Sequence, residues 1–174
     1  MTARGLVLLM TFLLGIGLVA SEWIRHPVVI IPGFSGSILE GKITSENITH
    51  SLPWYCKYSL HKWFRLWVSL TEVLIFPECF ESFLSHAWVD GKWQPASGVD
   101  IRVAGASFGD LYPIANLDPG VPHHEATYFE ALINTLTMAG YHPDQDLFGA
   151  AYAWRDPSAT DAWIEQTAML IVRA

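Results

Sequence analysis

Two serines in this chain stand between glycines, where an acyl-transfer nucleophile could sit. Ser35 lies in "HPVVIIPGFSGSILE" (His26–Glu40), and Ser107 lies in "GASFG" (Gly105–Gly109). A hydrolase of the α/β type raises its serine on G-x-S-x-G, a tight strand-to-helix turn that lifts the hydroxyl above the sheet and faces it with a helix N-terminus. Around Ser35 the second glycine comes one place early, so the pattern fails. "GASFG" fits as a string, but the residues after it, "DLYPIANLDPGVP", include Pro113, Pro119, Gly120 and Pro122. That composition does not carry a helix away from the turn. His123, His124 and His142 follow it as the available bases, so Ser107 stays a candidate on residue type and fails on expected geometry.

The first stretch has a second use. Acyl transfer builds negative charge on a carbonyl oxygen, and preorganised backbone N–H groups stabilise that charge. In α/β-hydrolases one such donor lies just after an early strand. Pro32-Gly33 turns the chain there, and the N–H of Phe34 is the natural donor. An ordinary strand-ending turn explains the same residues.

Cys56 and Cys79 are the only cysteines. An even count in a secreted chain favours pairing, and closing that loop would stabilise the fold by roughly 3–4 kcal/mol in the chain-entropy model. Two buried free thiols are the alternative. Neither cysteine belongs to a close Cys pair of the zinc type, and no metal or other cofactor is expected.

Several elements would position these groups. "PVVII" (Pro27–Ile31) reads as a buried strand, "VDIRVAG" (Val99–Gly105) as an alternating one, and "DLFGAAYAW" (Asp146–Trp154) as a second core strand. "TYFEALINTLTMAGYHP" is a helix with Phe129, Leu132, Ile133 and Leu136 on one face, stopped by Gly140 and Pro143. A last helix starts around Ser158–Asp161, with Trp163, Ile164, Thr167, Ala168 and Ile171 on one side. Strand, helix, strand, helix predicts an α/β fold with parallel strands. Between them, residues 53–95 form an aromatic insertion that holds both cysteines and Trp54, Trp63, Trp67, Trp88 and Trp93.

The rest of the composition narrows partners and compartment. Net charge is −7 with only ten basic residues, scattered, so a nucleic-acid partner is not expected. Arg4 followed by the apolar run Gly5–Ala20 describes a secretory signal peptide over residues 1–20, with an uncleaved anchor as the alternative. Asn47-Ile48-Thr49 is an N-glycosylation acceptor, in keeping with the secretory pathway and an extracellular or lysosomal destination.

From His26 onward the chain resembles the lecithin:cholesterol acyltransferase family, which includes lysosomal phospholipase/ceramide acyltransferases and phospholipid:diacylglycerol acyltransferases. The resemblance rests on "PVVIIPGFSGSILEGKI", "WYC" (Trp54–Cys56), Trp67 in "CKYSLHKWFRLWVSL", "GVDIRVAG", "YFEALINTLTMAGY" and "AAYAWR", in that order. It implies the N-terminal part of an α/β-hydrolase fold over residues 21–174, with residues about 53–95 as a lid. It maps the oxyanion residue onto Phe34, a lid disulfide onto Cys56 and Cys79, and a lipid-engaging lid tryptophan onto Trp67. It implies a serine acyl-enzyme that moves a fatty acyl group from a phospholipid to a sterol, diacylglycerol, ceramide or water, working as a monomer on a lipid surface. The catalytic Ser, Asp and His are then expected after Ala174, leaving no catalytic side chain here. Ala153 departs from the family's Tyr-Asp-Trp-Arg pattern, so Arg155 is expected to lack an ion-pair partner. The rival class is a noncatalytic secreted lipid-binding protein that keeps only the lid.

Overall fold

The computed structural model describes residues 25–45, 52–56, 59–95, 98–118, 126–156 and 160–174. The signal-peptide segment, Asn47, His123 and His124 lie outside the described residues.

The apolar run after His26 forms β1 (Val28–Ile30), and the run after Asp146 forms β7 (Leu147–Gly149). They pair in parallel, with Val28 opposite Leu147, Val29 opposite Phe148 and Ile30 opposite Gly149. Parallel neighbours need a long crossover, and here, among the described residues, the crossover contains every other strand and four of the five helices. One of those helices, here called α4 (Glu130–Met138), lays Phe129, Ile133 and Leu136 on a core of Ile30, Leu111, Ile114, Leu147 and Ala151. It ends where Gly140 takes φ +93° and Tyr141 N–H returns to Leu136 O at 3.1 Å. The Arg25 guanidinium donates to the carbonyls of Ala139 and Gly140, a cation where the helix dipole favours one.

The final helix, α5 (Thr160–Arg173), meets the sheet on a narrower line than its periodicity suggests. Trp163 donates its indole N–H to Ala150 O at 3.1 Å, and Thr167 and Leu170 are buried. Ile164 and Ile171, expected on that face, are more than half exposed. The anchored indole sets the helix rotation, and positions i, i+4 and i+7 follow it inward.

A second core stands on an antiparallel sheet ordered β3-β2-β6: β3 (Trp63–Trp67), β2 (Leu39–Ile43) and β6 (Val99–Val103). In β2, "LEGKI" buries Leu39, Gly41 and Ile43 and turns Glu40 and Lys42 outward, where they pair with Arg102 and Asp100. Gly41 lies under the Phe64 ring, where a Cβ would sit 3.1 Å from it and the ring would have to give by a few tenths of an ångström. Two short helices follow, α1 (Leu70–Ile75) and α2 (Pro77–Leu84). From α2, Phe83 packs edge-on to Phe64 at 5.5 Å, in one cluster with Ile43, Leu66, Cys79 and Val99. Cys56 and Cys79 are joined in a disulfide, with Cα atoms 5.6 Å apart.

The aromatic insertion therefore divides in two. Part of it builds this core, with Phe83 fully buried. The rest faces outward, with Trp54 86% and Trp88 60% exposed. Trp88 sits on the hairpin of β4 (His86–Val89) and β5 (Lys92–Pro95), directly across from Trp93 at 5.2 Å. Asp90 and Gly91 at the tip both have positive φ, as a type I′ turn requires. The remaining helix, α3 (Tyr112–Ala115), has four residues.

Candidate functional site

Beyond β1 the chain turns at Pro32-Gly33. Gly36 N–H closes the turn on Gly33 O at 3.0 Å, and Ser35 takes φ +59°. A negative φ at Phe34 followed by a positive one at Ser35 is the type II pattern, which glycine normally fills at its third position. Gly36 has no room for a side chain: a Cβ would come within 2.7 Å of the Tyr128 ring.

Distant elements brace this turn through its backbone. The carbonyl of Ser35 accepts the Trp67 indole N–H at 2.6 Å, and the carbonyl of Ser37 accepts that of Trp154 at 3.1 Å. The buried Ser37 hydroxyl accepts the Tyr152 N–H at 3.1 Å, and Gly33 N–H donates to the Tyr128 hydroxyl at 3.3 Å. The part-buried indoles of Trp67 and Trp154 find their polar partners in the turn itself. The rings form a continuous line. Phe34 meets Trp154 edge-on at 5.1 Å, Trp154 meets Trp67 at 5.1 Å, and Trp67 tilts onto Phe80 at 5.7 Å. That line joins the turn to the residue next to Cys79. The Phe34 ring itself is 75% exposed.

Ser35 is poorly placed as a nucleophile. Its hydroxyl donates to Phe34 O at 2.6 Å, and no hydrogen bond from it to a histidine is found among the described residues. Ser107 lies in a loop framed by Gly105 (φ +105°) and Gly109 (φ +106°). One carboxylate organises that loop: Asp110 accepts Ala106 N–H at 3.1 Å and Tyr112 N–H at 2.9 Å. The helix after it stops at Ala115, so the strand–turn–helix of an elbow is not built there.

Arg155 has polar partners despite Ala153. One guanidinium nitrogen donates to Leu84 O at 2.5 Å and Ser85 O at 2.9 Å and lies 2.7 Å from His86 Nδ1. This fastens the segment after β7 to the end of α2. Burial pulls the Arg155 pKa down to about 10, partly opposed by Asp156. Burial, and next the Arg155 charge, push His86 below its ordinary value.

Sequence reasoning named Phe34 and Trp67; it did not single out Trp154, Tyr128 and Ser37, which hydrogen-bond to the turn or form part of it. The usable signal was chemical: a part-buried tryptophan such as Trp154 brings an indole N–H that seeks an acceptor.

The fold and this turn define a class: an α/β protein in which a disulfide-bonded aromatic segment packs against a glycine turn at the end of a parallel strand. Comparison supplies the family. The chain belongs to the lecithin:cholesterol acyltransferase family, whose model matches residues 63–172. It is 31% identical over 134 residues to the lysosomal phospholipase A and acyltransferase of Bos taurus, covering 75% of this chain and 31% of that protein. It is 32% identical over 137 residues to the Homo sapiens protein of the same description. It is 28% identical over 152 residues to the Homo sapiens phosphatidylcholine-sterol acyltransferase, covering 84% of this chain and 32% of that protein. The chain spans about a third of the length of the curated relatives it matches.

Proposed function

We propose that this chain is the N-terminal part of a secretory-pathway O-acyltransferase or phospholipase of α/β-hydrolase fold. It supplies the oxyanion turn and the lid. In this reading a phospholipid ester is attacked by a serine encoded after Ala174. As the carbonyl oxygen becomes negative, the Phe34 N–H donates to it, and the acyl group passes to an alcohol or to water. The Cys56–Cys79 segment covers the site and opens onto lipid, and Trp67 belongs to both parts.

One observation carries the reading. Trp67, on the disulfide-bonded segment, holds the Ser35 carbonyl at 2.6 Å and so fixes the Ser35–Gly36 peptide of the turn that carries the Phe34 N–H. A turn fixed in advance stabilises charge without reorganising during the reaction.

The test uses phospholipid vesicles and a chain extended to the length of the relatives. Trp67→Phe keeps an apolar ring but loses the indole N–H. We expect kcat to fall by about tenfold or more, short of the roughly 10²–10³-fold cost of removing an oxyanion donor outright, with vesicle binding retained. An unchanged kcat would remove Phe34 from the oxyanion role. Ester turnover by the 174-residue chain, lost in Ser107→Ala, would move the nucleophile to "GASFG". The exposed Trp54 and Leu74 favour a second reading, adsorption to lipid without catalysis. Vesicle binding with no turnover by the extended chain would select it.

A further inference from the structure

Trp67 and Tyr128, which hold the Phe34 turn, are themselves held by one short segment, Tyr112–Asp118. Trp67 reaches the turn from the end of β3 and is gripped on both sides along the chain. Just before it, the Arg65 guanidinium donates to Leu117 O at 2.6 Å and to the Tyr112 hydroxyl at 2.8 Å. Just after it, at the start of α1, Leu70 N–H donates to Asp118 Oδ2 at 2.9 Å. Tyr128 belongs to a stretch that runs antiparallel to the same segment. Leu117 N–H donates to Ala126 O at 2.9 Å, Tyr128 N–H to Ala115 O at 2.9 Å and Phe129 N–H to Ile114 O at 3.2 Å.

These bonds close a ring. From Ser35 O it runs through Trp67 to Leu70, across to Asp118 and Leu117, over to Ala126 and Tyr128, and back to Gly33 N–H. Phe34 stands between Gly33 and Ser35, the two residues that the ring grips. A peptide gripped at one end can swivel, whereas one gripped at both ends takes its direction from the spacing of the grips. The Tyr112–Asp118 segment sets that spacing, and it is a firm reference. Pro113 and Ile114 are buried in the core, and Pro113 O accepts Ile38 N–H at 2.9 Å. Helix α1 is too short to hold its own start, so the bond from Asp118 fixes where it begins.

We propose that Asp118 and Arg65 are positioning residues for the Phe34 N–H. Each acts through other residues: by tying the chain on either side of Trp67 to the Tyr112–Asp118 segment, they fix Trp67 relative to Tyr128 and so aim the turn between them. The catalytic side of this assignment rests on the oxyanion reading of Phe34. The mechanical side, that a cut at Asp118 or Arg65 loosens the turn, does not.

The experiment is amide hydrogen exchange on the oxidised 174-residue protein. In Asp118→Ala, exchange should quicken at Leu70 and also at Gly33 and Gly36, by about two- to twelvefold, the worth of one net hydrogen bond. The Ala106 amide, held by Asp110, should keep its rate. Quickening at Leu70 alone would reduce Asp118 to a cap on α1 and overturn the proposal. Asp118→Asn keeps an acceptor oxygen and should restore the wild-type rates; a variant as loose as Asp118→Ala would refute the role of the Leu70 bond. Arg65→Lys keeps the cation but loses the fork that spans Leu117 O and the Tyr112 hydroxyl. It decides the matter if Asp118→Ala does not fold: Gly33 and Gly36 should quicken, and unchanged rates would sink the proposal. In the extended chain, Asp118→Ala should lower kcat and leave KM unchanged. A loosened turn with an unchanged kcat would keep the ring and remove Phe34 from the oxyanion role, so the two failures are told apart.

Discussion

The Gly33–Ser37 turn and the Gly105–Gly109 loop have similar composition, and both follow strands. They are held in opposite ways. In the first, side chains 32 to 117 residues away reach in to take up backbone groups: Trp67 on Ser35 O, Trp154 on Ser37 O, Tyr128 on Gly33 N–H. In the second, Asp110 gathers the N–H groups of its near neighbours Ala106 and Tyr112. The first turn can therefore register the position of the disulfide-bonded segment, whereas the second is held by its own carboxylate and by a backbone bond to β7, Gly149 N–H to Gly109 O. A backbone donor intended for a developing charge benefits from external bracing, because its aim then follows the rest of the site.

The largest effect should come from Trp154→Ala. It deletes the ring between Phe34 and Trp67 together with the bond to Ser37 O. We expect a loss of about 3 kcal/mol, the lower end for an aromatic truncated to alanine because the ring is only half-buried. Urea unfolding with the disulfide intact measures the total. Hydrogen exchange locates it: protection should fall at Gly36 and Tyr152 and hold at Ala106. A uniform fall would show that the two loops are not mechanically separate.

Asp110→Ala is the reciprocal perturbation and should be smaller, about 0.5–2 kcal/mol, the range for removing a carboxylate that satisfies helix-start donors. Exchange should quicken at the Ala106 and Tyr112 amides and leave Gly36 unchanged. If Gly36 loses protection instead, the loops communicate through the contact of Gly109 O with Gly149 N–H at 2.9 Å, and the contrast drawn above fails.

What the sequence made legible follows the same division. The parallel pair β1–β7, strand β6 and helices α4 and α5 were readable, because each carries a continuous or periodic apolar pattern. Strand β2 was not: Glu40, Gly41 and Lys42 look like a polar turn, although they alternate faithfully once Phe64 fills the space over Gly41. Strand β3 and the β4–β5 hairpin were lost in the aromatic density of residues 53–95, where Trp and Phe are frequent on both faces and no period emerges. The turn was readable where the information was local, as at Pro32-Gly33. It was opaque where the bracing came from Trp154 and Tyr128, because pairwise contacts over such separations leave no trace in a single sequence.

The two serines give the smallest and most diagnostic effect. Ser35 takes φ +59°, in the left-handed region, where a Cβ costs roughly 1–2 kcal/mol. Its hydroxyl recovers part of that by donating to Phe34 O, an exposed bond with a net value of about 0.5 kcal/mol. Ser35→Gly removes both terms, so the protein should gain up to about 1 kcal/mol. Ser107 is not in the left-handed region, so Ser107→Gly only loosens the unfolded chain and should cost about 0.5–1 kcal/mol. Parallel urea titrations would show shifts of opposite sign. Shifts of the same sign would mean that the Ser35 conformation is not imposed by the tryptophan bracing, since it is the bonds to Ser35 O and Ser37 O that hold a non-glycine residue in that position.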